Sequence, residues 1–143
     1  MDPLNATMFA LSILKGGQGT FRECNGLGSE SEIIEHKAST SDGKIITYKI
    51  PGNLKWETVV LKRGVTDDMA IWDWRKKVEE GDVTGARTDV TITLYNQAHD
   101  AVAEWTFDNA WPVKVSGPSL NAGDNNLAVE ELHLAHEGMR RTK

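Results

Sequence analysis

Short stretches that alternate apolar with polar residues, divided by frequent turn-forming clusters, constrain this chain most, because such spacing belongs to the strands of an all-β sandwich or barrel. The punctuation falls at Gly16-Gly17, Asn25-Gly26, Asp42-Gly43, Pro51-Gly52-Asn53, Gly81-Asp82, Asn96 to Asp100, Gly117-Pro118 and Asn121 to Asn126. Between these points Val90, Ile92 and Leu94 alternate with Asp89, Thr91 and Thr93, and Ala103, Trp105 and Phe107 with Val102, Glu104 and Thr106. Period two places each set on one face of a strand. Trp111, Val113 and Val115 form a third such set, Phe9, Leu11 and Ile13 a fourth, and Leu132 with Leu134 opposes Glu131 with His133. Trp105 and Trp111 read as core. Lys55 to Arg63 reads as a further strand, and residues 32–38 and 44–50 flank Ser-Asp-Gly, a hairpin cue because Asp-Gly accepts positive φ.

One segment breaks the pattern. Residues 67–79 read as a helix, with Thr66 as N-cap, Asp67 and Asp68 at the positive end of its dipole, Lys76 and Lys77 at the other, and Gly81 beyond. Ile71, Trp74 and Val78 make one stripe; Met69 and Trp72 widen it further than a single core contact needs and are candidates for meeting another chain. The expected fold is therefore mainly β with one flanking helix, a barrel-like pair of packed antiparallel sheets, built from residues 1–143 as one domain. That length suffices for one proper core. Strands with Thr, Glu, Asp and Lys on one side put at least one sheet face in water. The lone Cys24 forms no internal disulfide and suits a reducing compartment. Residues 1–5 lack the basic start and apolar stretch of a secretory leader, no apolar run approaches the length of a membrane span, and a net charge of -5 disfavours non-specific binding to nucleic acid or anionic lipid.

Chemistry-bearing patterns are weak. Among four histidines, His133 and His136 stand near Glu130, Glu131 and Glu137, but on a strand residues three apart face opposite ways, so no metal site is expected. Glu104, Glu130 and Glu131 are the carboxylates that a glycoside hydrolase would need, without a sign of a raised pKa. The glycine clusters at 16–19 and 26–28 lack the Gly-Lys-Ser/Thr ending of a phosphate loop, and Asn5-Ala6-Thr7 matches a glycosylation sequon by chance. No cofactor and no catalysis are expected. A small β-sandwich ligand-binding module, with surface aromatics, remains open beside a structural role, and so does a hydrolase using Glu104 and Glu130.

A longer series of segments carries more than pattern. Residues 59–68 run Val-Val-Leu-Lys-Arg-Gly-Val-Thr-Asp-Asp into a helix holding Ile71-Trp72-Asp73-Trp74; Val90 to Tyr95 and Glu104 to Pro112 follow, and Val115 to Ala122 and Val129 to Gly138 close the series. Together with Phe21 to Leu27 upstream, this order resembles the inner-tube proteins of contractile phage tails and phage-tail-like bacterial injection systems. The resemblance implies hexameric rings stacked into a hollow tube inside a contractile sheath, bounded by baseplate and terminator proteins and conducting cargo protein or DNA. It also implies a chain made in the cytoplasm and then carried in a particle or virion tail. Phage and bacterial devices share the subunit and are not separated by it. In such a tube Asp89, Thr91 and Thr93 would line the bore, and a protruding hairpin at 35–51, with Asp42 and Gly43 at its turn and Lys37, Lys44 and Lys49 along its sides, would reach the next ring.

Overall fold

The computed structural model describes residues 8–13, 17–65, 69–96, 98, 100–118 and 128–143, with side chains from residue 21 onward. The sequon, the expected helix start at Thr66 to Asp68 and the turn at 121–126 lie outside the described residues. In chain order the elements are β1 (Met8–Ile13), β2 (Gly17–Phe21), β3 (Glu23–Asn25), β4 (Ser29–Ser39), β5 (Ile45–Trp56), β6 (Val59–Gly64), α1 (Ala70–Glu79), α2 (Val83–Ala86), β7 (Thr88–Tyr95), β8 (Ala101–Ser116), β9 (Val129–Ala135) and β10 (Gly138–Arg141). Among the described residues every strand pairing is antiparallel.

The spine is β8. Its first half lies between β7 on one edge and β10 on the other, and its second half pairs with β9. Trp111 faces Ala135 and Asp108 faces Gly138, so β9 and β10 follow one edge of β8 in a single register, interrupted at His136 and Glu137. The chain turns from one sheet to the other at this interruption. Asn109 there takes φ 47, a left-handed conformation that Asn tolerates better than most residues. Its backbone N–H donates to Asp89 Oδ1 (3.2 Å) and its side-chain amide to Glu137 Oε2 (2.8 Å), fastening the corner on both sides. The result is one continuous ladder, β2-β1-β7-β8-β9-β6-β3, with β10 also on β8, bent into two packed sheets of which the first curls into a half-barrel.

Alternation places the core as the sequence implies. Val90, Ile92, Ala103 and Phe107 from the first sheet meet Val59, Leu61, Leu132 and Leu134 from the second, all essentially without solvent contact. In backbone register Phe9, Leu11 and Ile13 stand opposite Leu94, Ile92 and Val90. Helix α1 packs mainly on β8 and adds Ile71 and Trp74 to the core. Its first residue is Ala70, with Met69 at the cap and no side-chain cap bond. Trp74 Nε1 donates to the Ala86 carbonyl (2.6 Å), and Arg75 Nη1 to that of Pro112 (2.9 Å).

Three expectations are corrected. Val113 is not in line with Trp111 and Val115: a bulge between Pro112 and Lys114 turns it outward, so Pro112 faces the core instead and Trp111 is half-buried, as is Trp105. The run from Lys55 to Arg63 is two strands, since the chain leaves β5 at Glu57 and Thr58 before β6 starts. Pro51-Gly52-Asn53 is no turn but part of β5, where a register shift between Ser31 and Ile33 absorbs it. The short α2 follows from a cue that reads as mere punctuation: Asp82 caps it by accepting from the Gly85 N–H (2.9 Å).

Candidate assembly surfaces

Strands β4 and β5 form a separate two-stranded ribbon, and among the described residues neither pairs with any other strand. It runs from Ser29 to Trp56, beyond both ends of the 35–51 span expected from the sequence. The tip is a tight turn: Gly43 takes φ 78, its N–H donates to the Thr40 carbonyl, and the Lys44 N–H donates to Thr40 Oγ1 (3.2 Å). Asp42 and Gly43 thus shape the tip, and Lys44 joins it through its backbone.

Cross-strand register divides the ribbon into two unlike faces. On one, Ile34 opposes Ile50, His36 opposes Tyr48, and Ala38 opposes Ile46. On the other, Glu35 opposes Lys49, Lys37 opposes Thr47, and Ser39 opposes Ile45, with Ile33 opposite Pro51 nearer the root. Lys37, Lys49 and Glu35 therefore share the polar face, whereas Glu32 belongs to the other. Seven large apolar side chains of the ribbon are exposed, from Ile46 at 40% to Ile45 at 70%. A hairpin standing alone is marginal in water, and scattered apolar exposure is ordinary, but Ile34, Ile46, Tyr48 and Ile50 exposed together on one face of a ribbon are not. The signal was present in the sequence: Ile34-His36-Ala38 and Ile46-Tyr48-Ile50 alternate symmetrically about Asp42-Gly43.

A second surface is the outer face of the half-barrel. Thr91 lies between Ser12 and Thr106, and Thr93 between Ala10 and Glu104, on the side away from the core; Asp89 lies at the corner end of the same strand. Asp89 is exposed, Thr91 half-buried, and Thr93 only 8% exposed despite that orientation. Arg140 opposes Thr106 there and pairs with Asp108 (2.8 Å). Hydroxyls and carboxylates predominate.

The helix separates its two candidates. Met69 is 57% exposed, whereas Trp72 is half-buried against Gly117, with Nε1 donating to Glu130 Oε1 (3.1 Å). Glu130 Oε2 accepts from Arg63 Nε (3.1 Å) in a buried pair. Glu130 therefore faces inward in the second sheet while Glu104 lies on the outer face of the first, and the two are not brought together. Glu131 instead bonds His133 (3.1 Å) and pairs with Lys62, and these neighbours, His133 foremost, hold its carboxyl below the usual range. His133 and His136 point to different surroundings, and among the described residues no three His, Cys, Asp or Glu side chains converge as metal ligands. Cys24 packs against the core, where burial pushes its thiol up to about 12. No helix among the described residues is long and apolar enough to cross a membrane.

Residues 5–140 match the model of the T4-like virus tail tube protein gp19 family, and the chain belongs to that family. It is similar, at 25% identity and a TM-score of 0.79 over 98% of this chain and 91% of the other, to a chain of an extracellular contractile injection system, the PVC sheath–tube complex in its extended state. A chain from the tube-terminating cap of the anti-feeding prophage has the same fold at 23% identity and a TM-score of 0.78, over 100% of this chain and 93% of that one. Hcp1 from Flavobacterium johnsoniae shares it more distantly, with 12% identity and a TM-score of 0.56 over 94% of each chain. No curated protein sequence matches.

Proposed function

We propose that the chain is a non-catalytic building block of the hollow inner tube of a contractile injection apparatus, six copies closing into a ring and rings stacking along one axis. The observation that carries this reading is the ribbon, an arm that exposes Ile34, Ile46, Tyr48 and Ile50 on one face and has no partner strand of its own among the described residues. An element of that kind is stable only when something covers it, and a copy in the next ring does so in every ring of a stack. Its apolar face would bury against the neighbouring ring, with Glu35, Lys37 and Lys49 making polar contacts at the margin.

The outer face of the half-barrel, with Asp89, Thr91 and Thr93, suits a water-filled bore through which protein cargo or DNA passes. Exposed Met69, with Trp72 behind it, suits a contact within the ring. A contractile sheath outside, a baseplate and a terminator at the ends, and release within an assembled particle complete the reading, in keeping with the sheath–tube, cap and baseplate assemblies of its structural relatives. Deleting Ser39 to Lys44 tests it: the product should fold, give an unchanged β-type circular dichroism spectrum, and fail to elongate in negative-stain images. Normal tubes from the deletion would overturn the role of the ribbon.

A further inference from the structure

His136 occupies the break between β9 and β10, where the spine turns its corner. Its ring meets that of Phe107 edge-on at 4.8 Å and that of Trp56 at 5.6 Å. Phe107 is wholly buried in the core and Trp56 is the last residue of the ribbon, so the imidazole joins the arm to the body. Both ring nitrogens are buried and neither makes a hydrogen bond of good geometry, although the Glu57 and Gly138 backbones lie close enough to favour a charged ring. Buried polar atoms so poorly satisfied are costly, and for packing alone a phenyl ring would serve.

The rest of the root is slight. The chain enters β4 through Gly26, Leu27 and Gly28 and leaves β5 through Glu57 and Thr58, with the Glu57 N–H donating to the Gly28 carbonyl (3.1 Å). Gly26 takes φ 87 against the Thr58 carbonyl. Leu27 packs against the core on the β4 side of the root, and on the β5 side Trp56 is seated on the His136 ring.

We propose that His136 is a proton-operated pin: neutral, it holds Trp56 against the core and fixes the ribbon's direction, and protonated, it leaves its buried slot and frees the ribbon's root. The consequence for assembly, that acidification stops ring stacking, rests on the ribbon being the stacking arm. The Asp108 charge on β8 acts on the ring, and the other charged residues of the adjoining segments are Glu57 on the β5–β6 link, Glu137 next in the chain, and Arg140 on β10. Arg140 is engaged by Asp108 and Glu137 by the Asn109 amide. The Glu57 and Gly138 backbones and the Asp108 charge favour the imidazolium, but burial outweighs them and lowers the imidazole's pKa below its ordinary value. The docked state thus binds its proton less readily than the released one. Its contribution is whole above the ordinary imidazole pKa, about 6.5, and is lost as pH falls from there through the docked value.

The test uses the full chain and His136→Phe, which keeps an aromatic ring and removes the titration. Amide exchange at Glu57 and along the root of the ribbon is measured at about pH 7.5 and about pH 5, a range spanning imidazole titration, with tubes imaged in parallel. In the wild-type chain, exchange corrected for its intrinsic pH dependence should rise about tenfold or more at the lower pH, and elongation should stop. In His136→Phe both should stay at their neutral-pH level. Equal root protection at both pH values in the wild type, or the same acid response in His136→Phe, overturns the pin. Should that variant not fold, NMR titration of wild-type His136 decides. Proton uptake below the ordinary range with a concurrent change at the Trp56 indole supports the pin; ordinary titration with Trp56 unmoved defeats it. A root that opens in acid while tubes still grow leaves the pin standing and removes the stacking role of the ribbon.

Discussion

Both oxygens of Glu130 are engaged, one by Arg63 and the other by the Trp72 indole, and the carboxylate is buried with its guanidinium. This joins three elements, β6, β9 and α1, through charge-assisted bonds, and the Arg63 guanidinium also lies 5.5 Å from the centre of the Phe21 ring. Taking away one member of a buried ion pair strands the other, so Glu130→Ala should cost about 3–5 kcal/mol. Trp72→Phe, which loses one hydrogen bond to a charged acceptor, should cost less, about 1.5–3 kcal/mol. Urea unfolding of the two variants measures both, and a Glu130→Ala variant as stable as the parent would remove the pair from any account of how α1 is held. Cys24 offers a second reading at this scale. With its thiol pushed up to about 12 and packed on the core, it should resist alkylation at neutral pH in the folded chain and react promptly in denaturant.

At the scale of elements, the strands with strict alternation were legible because one face of each is buried, as β7 and β9 show: Val90 and Ile92, like Leu132 and Leu134, lie in the core where period two puts them. What was not legible is where a strand breaks step. The bulge at Val113 and the left-handed Asn109 depend on which strand lies alongside, information absent from a local window. Pro51 and Gly52-Asn53 read as a turn because they interrupt most sheets, but a ribbon with free edges tolerates a proline and a register shift. Its lysines were visible and its apolar face was not, because alternation is naturally read as core. That confusion has a measurable consequence. In an isolated chain Ile34→Asp with Ile50→Asp changes only exposed positions, so stability should stay within about 0.5 kcal/mol for each. In a tube each lost isoleucine forfeits about 1.5–3 kcal/mol of burial, enough to abolish elongation. Loss of monomer stability instead, with tubes retained, would place the apolar face against this chain's own body.

For the whole molecule, the two halves of β8 give the sheets different outlooks. The second sheet turns a charged row outward, Glu23-Lys62-Glu131, with His133 and Lys114 in the next register pair. The first turns out mostly hydroxyls and carboxylates around Thr91. A bore must stay wet and must not hold what passes through it, which favours hydroxyls with a little negative charge over apolar or basic groups; a net charge of -5 per copy, multiplied around a ring, adds to that for a polyanion. The proposed tube therefore puts Thr91 inside. Because Cys24 is shielded, Thr91→Cys supplies a single reactive thiol. A small maleimide should label it in the monomer and in the tube alike. A maleimide carried on a globular protein should label the monomer and be shut out of the tube, since the wall separates it from the thiol. Equal labelling by the bulky reagent in both states would put the hydroxyl face on the outside and exchange the roles of the two sheets.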